Sequence, residues 1–161
     1  MANIAARGFY LVLDKIKDEL LANNSVNTVT TGDLFDIDLN KQNMFPLTHI
    51  IINNVGMQEQ VLNFQLSILA MDIVDTSKTK PADVLIGNDN EQDILNTQLS
   101  VINKLVGVLR QGTLYRDMFQ LSGDPTCEPF YDRFENELAG WSCDITIQIP
   151  NDQNYHKKAH K

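Results

Sequence analysis

The stretch "GWSCDITIQIP", residues 140–150, constrains the fold more than any other part of the chain. Trp141, Cys143, Ile145, Ile147 and Ile149 alternate with Ser142, Asp144, Thr146 and Gln148. A period of two is the signature of an extended strand with one apolar and one polar face. A second alternation, Leu62, Phe64, Leu66, Ile68 and Ala70 against Asn63, Gln65, Ser67 and Leu69, lies within "EQVLNFQLSILAMDIVD", residues 59–75. Together with "LTHIIINNV", residues 47–55, it predicts a hairpin turning about Gly56. The second strand exceeds the usual ~5–6 residues, which predicts a bend or bulge near Ala70 or Met71, or a strand that extends past its sheet.

Two segments carry the helical period instead. From Asn3 to about Asn23, Ile4, Phe9, Val12, Leu13, Ile16, Leu20 and Leu21 form one stripe, while Asp14, Lys15, Lys17, Asp18 and Glu19 fill the opposite face. "NNS" at 23–25 ends it. From Glu91 to Arg110 the stripe is Ile94, Leu95, Gln98, Leu99, Ile102, Leu105, Val106 and Leu109, with Asp89 or Asn90 as N-cap and Gly112 as stop. "VNTVTTG" (26–32) and residues 114–121 read as short strands, and "SGDPTCEP" (122–129) as a turn. Residues 75–92 read as a loop or arm with a brief apolar contact at Val84 to Ile86. The order predicts an α+β fold, a mainly antiparallel sheet with two helices packed on one face. Residues 1–150 would form one domain and residues 151–161 a flexible C-terminal tail.

Composition narrows the partners. A hydrophobic content of 43% and a charged content of 21% belong to a globular chain. A formal net charge of -8 argues against a module that reads DNA sequence, which needs a basic stripe. No apolar run approaches the ~20 residues of a membrane span, and Arg7, Asp14, Lys15 and Lys17 interrupt the N-terminal segment too early for a secretory signal. Cys127 and Cys143 make neither a disulfide framework nor a metal knuckle, so buried free thiols are the expectation.

Side chains crowd together as they would around an ion in "GDLFDIDLNKQ", residues 32–42, where Asp33, Asp36, Asp38 and Asn40 gather. Read as a calcium loop from Asp36, it has Lys41 where the sharp turn needs glycine and Leu47 where a bidentate glutamate is needed. Alternation of the polar side chains with Phe35, Ile37 and Leu39 supplies a strand-like reason for them instead. His49 sits among Leu47, Ile50 and Ile51 and reads as a satisfied, partly buried imidazole. His156 and His160 lack zinc-ligand partners, and Cys143 falls on an apolar strand face. Glu135 and Glu137 show no sign of tuned acidity, and no phosphate loop, nucleophile elbow or zinc helix occurs. The expectation is a protein that is not an enzyme and takes no cofactor or metal. The alternative is a small cytoplasmic metal-binding or enzymatic domain built on Asp36, Asp38 and Asn40.

The succession "VNTVTTGDLFDIDLNKQNMFPLTHIIINNV", "VLNFQLSILAMDIVD", "QDILNTQLSVINKLVGVL" and "LAGWSCDITIQIP" resembles the tail-terminator or tail-completion proteins of tailed bacteriophages, including ring proteins of crAss-like phages. The resemblance spans Ile4 to Pro150 and implies a virion subunit, made in the host cytoplasm, that forms a ring at the head-to-tail joint. It implies as partners further copies of the chain, adjacent portal, adaptor or tail ring proteins, and DNA passing through the lumen. The long hairpin would build the ring interface. Loops 32–46 and 76–90, with Asp33, Asp36, Asp38, Asn40, Lys41, Lys78 and Lys80, would meet neighbouring rings. A compact body of this length is roughly 40 Å across, so six copies enclose a hole of about 40 Å and twelve about 110 Å. Six-fold symmetry is the expectation, with twelve-fold the alternative.

Overall fold

The computed structural model describes residues 7–33, 42–74, 90–111, 119–133 and 138–151. Helix α1 (Gly8–Leu21) leads into strand β1 (Thr28–Thr31). A short 3-10 turn (Gln42–Met44) precedes β2 (Leu47–Met57) and β3 (Val61–Ile73). Helix α2 (Glu91–Gln111), β4 (Gln120–Arg133) and β5 (Leu138–Pro150) complete the order. The five strands form one sheet, β1-β2-β3-β5-β4, in which β1 runs parallel to β2 and every other pairing is antiparallel. The α+β architecture follows from the two periodicities in the sequence.

Both helices lie on one face, because the alternating strands offer their apolar side chains there. Phe64, Leu66, Ile68 and Ala70 of β3 and Cys143, Ile145, Ile147 and Ile149 of β5 meet Val12, Ile16 and Leu20 of α1 and Val101, Ile102, Leu105 and Leu109 of α2. Each Val, Leu, Ile or Phe side chain among these contributes about 1.5–3 kcal/mol on leaving water. Gly8 lets α1 approach closely: a Cβ there would stand 2.8 Å from Ile149 Cδ1. Trp141 Nε1 donates to Leu95 O at 2.7 Å and ties α2 to β5.

The opposite face is divided. At one end Phe45, Leu47, Leu69, Met71, Phe130 and Leu138 form a second apolar cluster. That cluster explains why Leu69 breaks the polar series in β3, where pattern alone assigns it to a polar face. At the other end the face stays polar and no described helix covers it.

Several expectations are corrected. The hairpin turns at Gln58–Gln60, where Gln58 N donates to Val61 O, and Gly56 lies inside β2. No bulge falls at Ala70 or Met71: β3 keeps unbroken register with β5 from Val61 to Ile73, and the irregularity lies in β2 between Ile52 and Asn54. "SGDPTCEP" is not a turn but part of β4, with register shifts between Ser122 and Thr126 and between Phe130 and Arg133. Among the described strands β4 pairs only with β5, and an edge strand tolerates Pro125 and Pro129 because it needs no donor on its outer side. Gly123, at φ 74°, takes the left-handed conformation that the first irregularity requires. In the helices, Phe9 and Leu21 are 51% and 44% exposed and Leu99 40%, whereas Val101, outside the expected stripe, is buried. The start of the first helix before Arg7, the Val84–Ile86 contact and the Gly112 stop fall outside the described residues.

Candidate functional site

The feature of the fold most suited to a function is the β2–β3 hairpin. The pairing of β1 with β2 begins at Thr28 opposite Leu47 and ends at Thr31 opposite Ile50, whereas β2 continues to Met57. Gly32 N donates to Ile50 O and closes that pairing. Beyond it, from Ile51 to Met57, no described strand pairs the outer side of β2. A strand in that position presents a row of backbone donors and acceptors ready for another chain.

The side chains around the edge are mixed in character. Met57, at the end of β2, is 82% exposed. Gly8 abuts Leu62, the register partner of Met57, so the first turn of α1 lies at the same end of the molecule. There Phe9 and Tyr10 pack edge to face, with ring centroids 5.9 Å apart, and Tyr10 is 63% exposed. Phe9, Thr31, Gly32, Asp33, Ile51 and Ile52 line a shallow depression of about 360 Å³ where β1 stops. Gln58 O accepts from Asn151 Nδ2 at 2.8 Å and Gln60 O from Asn151 N at 2.9 Å, so the end of β5 braces the hairpin turn.

Across the polar face runs a ladder of uncharged donors ending on a carboxylate. Asn53 Nδ2 donates to Ser67 Oγ at 2.9 Å, and Ser67 Oγ donates to Asp144 Oδ1 at 2.6 Å, linking β2, β3 and β5. Asn54 Nδ2 donates to Gln65 Oε1 at 3.0 Å beside it. Amide, hydroxyl and carboxylate groups of this kind can hydrogen-bond to other amides and to cationic side chains.

The residues singled out from sequence are distributed as follows. Asp33 stands at the β1 end of the depression. Asp36, Asp38, Asn40, Lys41, Lys78 and Lys80 lie outside the described residues, as do Glu135, Glu137, His156 and His160. His49 is fully buried, with Nδ1 2.7 Å from Thr30 Oγ1 and Nε2 3.0 Å from Gly32 O. A carbonyl only accepts, so Nε2 carries the proton and the Thr30 hydroxyl donates to Nδ1. The imidazole is thus satisfied, as expected. Cys143 is buried and Cys127 half-buried, both as free thiols. Burial, reinforced by the hydrogen bond and charge of Cys127 and by Asp144, pushes the Cys143 thiol up to about 12. Asp72 is also raised, chiefly by burial and partly offset by the Ile73 N–H at 2.8 Å. Among the described residues no group of three or more His, Cys, Asp or Glu side chains is placed to hold a metal ion. Likewise, no described helix is long and apolar enough to cross a membrane.

Asn53, Asn54, Ser67 and Met57 did not stand out in the sequence. The adjacent asparagines inside an apolar strand were the available signal for the bulge, since two polar side chains in succession cannot share one face of a regular strand. No protein-family model matches the chain, and no curated protein matches it either.

Proposed function

We propose that the protein is a non-enzymatic structural subunit of a virion, resembling a tail terminator, which assembles into a homo-oligomeric ring at the phage neck or tail and conducts DNA. The supporting observation is the β2–β3 hairpin, whose outer β2 edge from Ile51 to Met57 is unpaired by any described strand and ends in the exposed Met57. Contact of this edge with the next copy in a head-to-tail arrangement closes a ring when the rotation per subunit divides the circle. Main-chain hydrogen bonds supply affinity in such a contact and flanking side chains specificity.

The charge supports a conducting role. At -8 the chain repels phosphate, so a lumen lined by it holds DNA weakly and lets it slide. Neighbouring portal, adaptor or tail rings are the remaining partners in this reading, engaged through segments 32–46 and 76–90. Electron microscopy of the purified protein, alone and mixed with the products of neighbouring structural genes, tests it. Closed rings are the expected result, six-fold before twelve-fold. Particles that remain single subunits in every mixture contradict it.

A further inference from the structure

Cys127 and Cys143 are the two cysteines of the chain, and they are direct register partners in β4 and β5. Directly opposed residues of an antiparallel pair have Cα atoms about 4.5–5.5 Å apart, inside the ~4.4–6.8 Å window of a disulfide. Their side chains project to the same face of the sheet, and both line a cavity of about 400 Å³ between α2 and β4. Cys127 is the nearest titratable neighbour acting on Cys143, and its proximity helps to raise the Cys143 thiol. Asn96, Ser100, Asn103 and Arg110 supply polar groups on the α2 side of the cavity, and Arg110 pairs with Asp124 at 2.9 Å. The cavity therefore joins a partly buried thiol, the buried thiol opposite it in the ladder, and the guanidinium of the Arg110–Asp124 pair.

We propose that Cys127 and Cys143 form a dithiol site that reacts with small disulfides, glutathione disulfide among them, and closes into a cross-strand disulfide joining β4 to β5. Cys127, the accessible member, loses its proton to water and attacks one sulfur of the reagent. The S–S bond of the reagent breaks, one thiolate leaves, and a mixed disulfide remains on Cys127. Cys143 then gives up its proton, attacks the Cys127 sulfur and expels the second thiolate. The protein dithiol is oxidised by two electrons, the reagent is reduced to two thiols, and the two protons released by the cysteines balance those thiols.

Two consequences follow from the geometry. Cβ atoms across a ladder lie about 4.5–5.5 Å apart, slightly wider than the ~3.5–4.5 Å of a relaxed disulfide, so closing the bridge draws β4 and β5 slightly together. The bridge also links the edge strand β4 to an interior strand through a short loop, which restricts the unfolded chain.

The test is intact-mass analysis of the folded full chain after exposure to glutathione disulfide, followed by acid quench and alkylation. A species that has lost two hydrogens, takes up no alkylating agent, returns to the dithiol with excess thiol and unfolds about 5 °C higher supports the site. Cys143→Ala should stop at a glutathione adduct on Cys127, and Cys127→Ser should give neither adduct nor bridge. Circular dichroism establishes that each variant is folded. An adduct that persists on Cys127 in the parent chain, reaction only after denaturation, or an unchanged or lowered unfolding midpoint overturns the proposal.

Discussion

Trp141 in β5 donates its indole N–H to the carbonyl oxygen of Leu95 in α2 at 2.7 Å. Leu95 lies in the second turn of a 21-residue helix, and its carbonyl also remains available to the helix ladder. Trp141→Phe keeps an aromatic side chain and removes the donor together with a smaller part of the apolar area. The expected loss is about 1 kcal/mol, seen as a midpoint lowered by roughly 2–4 °C in thermal unfolding, with the helical signal intact.

Two glycines should respond in opposite directions. A Cβ on Gly140 would meet the backbone of β3 at Ala70 O and, at 2.8 Å, Met71 Cα, and neither can give way without breaking the sheet. Gly140→Ala should cost about 3 kcal/mol or more and deplete soluble protein. Gly107 is an exposed position in α2 with no neighbour within reach of an added Cβ. Gly107→Ala should stabilise by about 0.5–1 kcal/mol in urea unfolding, because alanine loses less conformational freedom on entering a helix.

Asp72 makes stability depend on pH in an uncommon direction for a carboxylate. Burial raises its pKa above the ordinary 3.8, so between 3.8 and the folded value the native chain holds more protons than the unfolded chain. Stability from this group is full below 3.8 and falls as pH rises through the folded value. Asp72→Asn keeps an acceptor for Ile73 N–H and removes the titration. The variant should unfold at a higher midpoint than the parent at neutral pH, and the difference should vanish in acid.

Much of this fold was legible in the sequence because β5 and the first half of β3 alternate between apolar and polar residues and most of the apolar stripe from Ile94 to Leu109 in the second helix is buried. What was misread shares a cause: pairing decided it. Ser122 to Pro129 carries the residues of a turn, yet β5 pairs with it as an edge strand. Leu69 fell on the polar face by alternation but joins Met71 in a second cluster made with Phe45, Phe130 and Leu138, which are distant in sequence. That no described strand pairs β2 beyond Ile50 could not be read locally, since it depends on where the pairing with β1 ends. His49 was legible because apolar neighbours on a strand already implied burial.

The proposed ring contact makes a prediction about surface residues. Met57 is 82% exposed, so Met57→Lys should leave the unfolding midpoint within about 1 °C of the parent while lowering the assembled fraction in sedimentation. Replacing both Asp36 and Asp38 with Lys should impair ring or stack formation and leave the subunit folded. Full assembly by the first variant removes the hairpin tip from the contact, and full assembly by the second removes the acidic segment.

The most direct measurement is native mass spectrometry of the full chain across a wide concentration range, with and without the neighbouring tail components. The expected result is a closed species of six copies, twelve being the other permitted count, that dissociates as a whole. A subunit that stays single at the highest soluble concentration and in the presence of those components contradicts it.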